Sequence, residues 1–221
     1  MLFGWSNYVK RQEYDYLLVF NDDIIAFPDA LYSLIKSASE LKNQSIDCFA
    51  ISAGLKDPNS NDVTYGCVKR SSKFNPLAFK LLTPNGSLQK CSTLNMNLAL
   101  ISKKAINNTN FLSSDYIHKA ADFDFGLRLV KSGGFVFLER HFLGVCERNK
   151  LSESIKDPNV GIIDRWKYFI HPKGGGHIKH RIVYYRNHAG IFWQLHLILS
   201  YLTALYKMII FQLTKALYFW K

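Results

Sequence analysis

Residues 14–23, YDYLLVFNDD, run from an aromatic and branched apolar segment straight into Asn21, Asp22 and Asp23. An unbroken apolar run of this kind fits a strand buried on both faces, in a sheet with helices on either side. Open α/β sheets bind ligands beyond the carboxyl ends of their strands, so the polar triplet is delivered to a functional edge.

Working outward, Pro28-Asp29 opens a helix, with Ala30, Leu31, Leu34, Ile35, Ala38 and Leu41 at helical spacing. Residues 47–53 (DCFAISA) read as a second strand, and Asp57 to Asp62 as a turn. Residues 63–88 carry little signal beyond the punctuation of Tyr65-Gly66 and Pro84-Asn85-Gly86. Residues 93–101 (TLNMNLALI) read as one further strand, with a helix starting at Ser102. Residues 120–131 have helical spacing and stop at Gly133-Gly134, ahead of a short strand at 135–138. Alternating strands and helices predict an α/β fold built on a mixed sheet. No internal repeat is visible.

The chain has 221 residues, 48% of them hydrophobic and 20% charged, enough for one sizeable core. Its formal net charge of +11 is uneven. From Lys150 onward 11 Lys and Arg face 3 Asp and Glu, a balance of +8; the first 149 residues hold 17 against 14, or +3. We therefore expect a domain at 1–149 and a basic helical extension at 150–221, broken by Pro158, Pro172 and Gly174-Gly175-Gly176. Cys48, Cys67, Cys91 and Cys146 form neither a C-x-x-C pair nor a dense framework, which points to free thiols in a reducing cytoplasm. No signal peptide is expected, because Lys10, Arg11 and Glu13 interrupt the opening apolar residues.

Adjacent carboxylates at the end of a buried strand are costly unless a cation or donors compensate them. Their hard oxygens suit Mg²⁺ or Mn²⁺, although acidic residues here are also ordinary capping material before Pro28. A second group is Asp122-Phe123-Asp124 with Arg128. Asp124 and Arg128, four apart, can pair on a helix face, which leaves Asp122 at the helix entrance. A carboxylate there can act as a general base or simply complement the helix dipole.

The order of these groups decides between the readings. YDYLLVFNDDI at 14–24, TYGCVKR at 64–70, CSTLNMNLALISKKAI at 91–106 and ADFDFGLRLVKSGGFVFLERHFLGVCERN at 121–149 resemble the bacterial family 2 glycosyltransferases of capsular and O-antigen-like polysaccharides. The tail RNHAGIFWQLHLILSYL at 186–202 is similar to that group as well. The resemblance implies a GT-A-type fold and inverting, metal-dependent transfer from a nucleotide-sugar to a glycan or lipid-linked acceptor. It puts Asn21, Asp22 and Asp23 at the metal motif, with Asp23 the direct ligand of a divalent Mg or Mn ion. It makes Asp122 the catalytic base, gives Asp124 and Arg128 support and acceptor positioning, and turns Asn97 toward the same cleft. The family often adds a His after the base as a further metal ligand. Here that region reads Gly144 to Asn149, with His141 nearby. Family members also begin with a nucleotide-binding half, of which only residues 1–13 precede the first strand here. The expectation is thus a truncated GT-A-like sheet, with a non-catalytic remnant or interaction module of the same fold as the alternative.

Residues 191–213 approach the length that spans a bilayer, but Gln194, His196, Lys207 and Gln212 weaken a spanning reading. Their aromatic flanks fit either a helix lying in a membrane interface or one packed on the domain. Peripheral contact with the inner face of the cell membrane is the expectation that suits a lipid-linked acceptor. His171, His177, His180 and His188, among Lys173, Lys179 and Arg181, read as a basic surface rather than a metal site. No nucleic-acid motif accompanies the charge, so nucleic acid is not an expected partner.

Overall fold

Strands β1 (Tyr16–Phe20), β3 (Phe49–Lys56), β9 (Leu98–Ser102) and β10 (Phe135–Val145) form the body of a mixed sheet. They lie in the order β1-β9-β3-β10, and the two-residue β2 (Ile25–Ala26) closes the far edge. β3 and β10 run parallel, whereas β9 is antiparallel to both β1 and β3. The carboxyl ends of β1, β3 and β10 therefore emerge beside the amino end of β9. The computed structural model describes residues 9–116, 120–147, 160–172 and 174–218.

The apolar runs of β3 and β9 are explained by burial on both faces, whereas β1, expected to be fully buried, lies at an edge of the described sheet, half-buried and with Phe20 exposed. Tyr16 and Leu18 of β1, with Phe49, Ile51, Ala53 and Leu55 of β3, pack under α1 (Ala30–Asn43). Leu17 and Val19 face the opposite side with Ala50, Ala99, Ile101, Val136 and Leu138. That side is covered by α2 (Lys103–Thr109) and α3 (Ala121–Lys131), through Ala105, Ile106, Phe125 and Leu129. α1 buries Ala30, Leu34, Ser37, Ala38 and Leu41; Leu31 and Ile35, expected on its apolar face, are exposed. α2 is capped by Ser102, whose Oγ accepts from the Ala105 N–H (3.3 Å) and the Phe49 N–H (3.0 Å). α3 ends where expected, at Gly133, which takes φ +87.

Two expectations need correction. The stretch 93–101 is not one strand. β8 (Thr93–Leu94) belongs to a small antiparallel sheet with β5 (Cys67–Arg70) and β6 (Phe79–Leu81), and only β9 joins the main sheet. The break falls at Asn95: its N–H donates to the Gly66 carbonyl (2.7 Å) and its carbonyl accepts from Ser52 Oγ (2.9 Å). β10 runs to Val145 rather than stopping at Leu138. Register shifts after Leu138 absorb the polar Glu139, Arg140 and His141, and Arg140 reaches back to Ser37 Oγ (2.7 Å) and Glu40 on α1. The weakly patterned region 63–88 holds β4 (Val63–Tyr65), which pairs with β3, as well as β5 and β6. β7 (Gln89–Lys90) follows it and pairs with β10.

The described residues separate into two units. One is the sheet and its helices, residues 9–73, 78–114 and 121–147. The other contains α4 (Ile162–Ile170), α5 (Ile178–His188) and α6 (Trp193–Tyr218), together with residues 74–77, 115–116 and 120. In this second unit His180 and His188 are buried against Tyr116 and Tyr184 rather than displayed on a basic surface. The readings at Pro158, Lys173 and Arg148 to Lys150 lie outside the described residues.

Gly126 lets α3 settle on β8. A Cβ at this position would sit 2.3 Å from Thr93 Oγ1 and 2.7 Å from a Leu94 methyl. Gly126→Ala should lower stability by about 1–3 kcal/mol through overpacking, read as a lower midpoint in urea unfolding with an unchanged slope.

Candidate functional site

β1 ends at Phe20, and the next peptide leaves the ladder. The Asn21 N–H donates to the Asn97 carbonyl at 2.9 Å, which ties the Asn21-Asp22-Asp23 turn to the residue just before β9. All three turn residues are exposed, and Asn97 is half-buried. Two positions earlier, Asn95 lies beside the other acidic group, its side chain close enough to Asp122 to favour the ionised carboxylate. The three-residue break Asn95–Asn97 is therefore a physical bridge between the Asp22-Asp23 turn and Asp122.

Asp122 occupies the first turn of α3 and is partly buried. Burial pushes its carboxyl above the usual carboxylate range. Opposing that shift, its Oδ1 accepts from the Phe123 N–H (2.8 Å), and the Asn95 side chain and the Met96 N–H nearby favour the charged form. Removal from water dominates, so this carboxylate holds a proton more readily than a free aspartate. A directed donor and a raised pKa are features that suit a carboxylate to proton transfer.

Asp124 and Arg128 are placed differently. Asp124 is 1% exposed, and its Oδ2 accepts from Arg128 Nε at 2.7 Å, the pair anticipated from their spacing. The rest of the guanidinium is spent on backbone: Nη2 donates to the Phe111 carbonyl (2.7 Å) and Nη1 to that of Thr109. Asn110 and Phe111 take φ of 59° and 56°, which turns this loop toward the arginine. In this arrangement the pair fixes α3 against the loop after α2 and orients Asp122 through the helix.

Asp23 has neighbours that are far from it in sequence. β2 pairs with the end of β10, Ile25 opposite Val145, which brings Asp23 near Cys146 and Glu147. Burial, then the charges of Asp23 and Glu147, push the Cys146 thiol up to about 11. All four cysteines are free thiols, with Cys67 and Cys146 buried. Among the described residues no three His, Cys, Asp or Glu side chains gather into a set that would hold a metal ion unaided. The exposed carboxylates of Asp22 and Asp23 still match Mg²⁺ chemistry, since this ion commonly takes one or two protein carboxylates together with water and substrate phosphates. His141 is exposed on the irregular stretch of β10.

Asn95 was not anticipated as a site residue. Its signal was present: Asn95 and Asn97 are the polar residues that interrupt an otherwise apolar stretch after Thr93. Cys146 and Glu147 lie in the stretch Gly144 to Asn149 where the resemblance puts a further metal ligand, but only the β2–β10 pairing shows that they approach Asp23. Compared with known proteins, the chain matches no family model and no curated sequence.

Arg128→Ala leaves the Asp124 carboxylate buried without its guanidinium and strips two carbonyls of a donor. We expect a loss of about 3 kcal/mol in urea unfolding, with Arg128→Lys restoring part of it. Because the Asp122 pKa is raised on folding, its ionised form costs stability above that pKa, and the cost fades as pH falls toward the unfolded value. The stability of the native chain relative to Asp122→Asn should therefore improve as the pH of unfolding falls from above the folded pKa toward the unfolded value of about 4. A difference that stays flat from pH 8 down to the unfolded value would contradict the assignment.

Proposed function

We propose that the chain is the metal- and acceptor-side portion of a GT-A-type, inverting glycosyltransferase that acts on a nucleotide-sugar and a glycan or lipid-linked acceptor. The observation that carries this reading is the Asn95–Asn97 bridge, which joins the Asp22-Asp23 turn to a carboxylate with a raised pKa. The motif order in the sequence and the mixed sheet flanked by helices are consistent with it.

In this reading Asp122 accepts the proton of the acceptor hydroxyl. The hydroxyl oxygen then bonds to the anomeric carbon as the bond to the nucleoside diphosphate breaks, and a single displacement inverts that carbon. The raised pKa brings the base closer to the operating pH and so strengthens its pull on the proton. Asn95 and the Phe123 N–H hold the carboxylate in place. Asp22 and Asp23 would hold a divalent Mg or Mn ion, whose charge offsets that growing on the departing diphosphate. Asn21 and Asn97 lie beside this turn as candidate donor contacts, while Asp124 and Arg128 act by positioning α3.

The test is release of nucleoside diphosphate from a panel of nucleotide-sugars with Mg²⁺ or Mn²⁺, with and without glycan acceptors. Asp122→Asn should lower kcat by about 10²–10⁴ with little change in donor KM. Asp23→Ala should instead weaken metal-dependent nucleotide binding. If the chain shows neither turnover nor metal-dependent nucleotide binding, a non-catalytic module of the same fold replaces this reading.

A further inference from the structure

Helix α6 has two apolar faces, and only one of them is used inside the described structure. Leu197, Ala204 and Met208 are buried, and Ala204 and Met208 pack with Tyr201 on Phe169 and Trp166 of α4. Arg181 of α5 reinforces this side. It donates to Ser200 Oγ (2.6 Å) and the Gly175 carbonyl (2.9 Å), and its guanidinium lies 5.2 Å from the rings of Phe169 and Tyr201. On the opposite side Leu195, Ile198, Leu199, Leu202, Tyr206 and Ile209 are all exposed. With Leu205 and Ile210 at its margins, this outer stripe spans an arc of about 140° and a length of roughly 22 Å at helical geometry. No charged or amide side chain falls inside the arc. Gln194 and Gln212 border it on one side, and His196, Thr203 and Lys207 on the other.

A stripe this broad exceeds the narrow seam of a coiled coil and matches helices that lie in a lipid interface. Trp193–Gln212 is long and apolar enough to cross a membrane by length and composition alone. Its packed face argues against crossing. Arg181 is bound to it at Ser200, and Arg165 of α4 lies 4.8 Å from the Phe211 ring, so a spanning helix would carry two guanidinium groups into hydrocarbon. Charge then selects the occupant. α5 carries Lys179, Arg181 and Arg186 with no acidic residue, and residues from Lys150 onward hold a balance of +8. A second copy of the chain would bring two such positive segments together, whereas anionic headgroups neutralise them.

We propose that the outer stripe of α6 is a membrane-binding surface that lies in the plane of an anionic lipid leaflet, with its apolar side chains at the acyl boundary and Lys207 among the headgroups. The Phe192-Trp193 pair and Tyr206 supply aromatic rings suited to that depth. This surface is independent of the Asp122 site, and its failure would leave the transferase reading untouched.

The experiment is flotation of the full chain with vesicles of phosphatidylcholine, with or without phosphatidylglycerol. The wild type should float with the anionic vesicles, be weakened by salt, and be released by alkaline carbonate. The triple variant Leu199→Gln, Leu202→Gln, Ile209→Gln should bind at least about tenfold less while its unfolding midpoint is unchanged. Should the triple variant lose its fold, Leu202→Gln alone, read as at least about a twofold loss, takes its place. Three results would overturn the proposal: a wild type that stays with the vesicle-free fraction, variants that bind as well as wild type, or bound protein that resists carbonate, which marks a spanning helix. A vesicle-free dimer that the substitutions dissociate would likewise overturn it and assign the stripe to self-association.

Discussion

The backbone of Asn95 is pulled out of strand pairing by Gly66 on one side and Ser52 on the other. That small detour separates β8 from β9 and thereby separates the minor sheet from the main one. It also frees the Asn95 side chain for Asp122 and leaves the Asn97 carbonyl to receive the turn after β1. Had residues 93–101 continued as a regular strand, alternate side chains would have been committed to the two cores. Neither asparagine could then serve the site without burying an unpaired amide.

The second constraint is the buried Asp124 carboxylate. A charge at this depth is tolerable only with a well-placed counter-charge, and Arg128 supplies it while also gathering the carbonyls of Thr109 and Phe111. The edge-to-face contact of Phe111 with Phe125, 5.7 Å between ring centres, locks the same loop to the same helix. α3 is thus held at its buried face by ionic and aromatic contacts, and at Gly126 by close approach to Thr93 and Leu94. Asp122 inherits its position from all three. A carboxyl whose pKa is raised by burial depends on such rigidity, because small displacements would let water restore its ordinary acidity.

The second unit follows a different logic. Its helices hold one another through aromatic rings stacked around Arg181 and through the few small or flexible side chains on the inner face of α6. This core uses one side of the longest helix in the described structure and leaves the other apolar side exposed. Polar residues bordering the stripe on both flanks give it defined edges, unlike the scattered apolar residues of an ordinary surface.

Strands with continuous apolar runs, the helix stop at Gly133, the Asp124–Arg128 pairing and the two acidic groups were all legible in the sequence. Each depends on residues close together in the chain, where periodicity and side-chain chemistry act directly. The length of β10 was hidden because Glu139, Arg140 and His141 look like a loop until α1 offers Ser37 and Glu40 to the arginine. The small strands of 63–90 were hidden because two- to four-residue pairings carry no period of their own. The bridging role of Asn95, the approach of Asp23 to Cys146 and Glu147, and the division of α6 into a packed and an exposed face came only with the tertiary structure. Sequence supplies the chemistry of each group, but hydrogen bonds and burial between distant segments decide which groups meet and which surfaces remain uncovered.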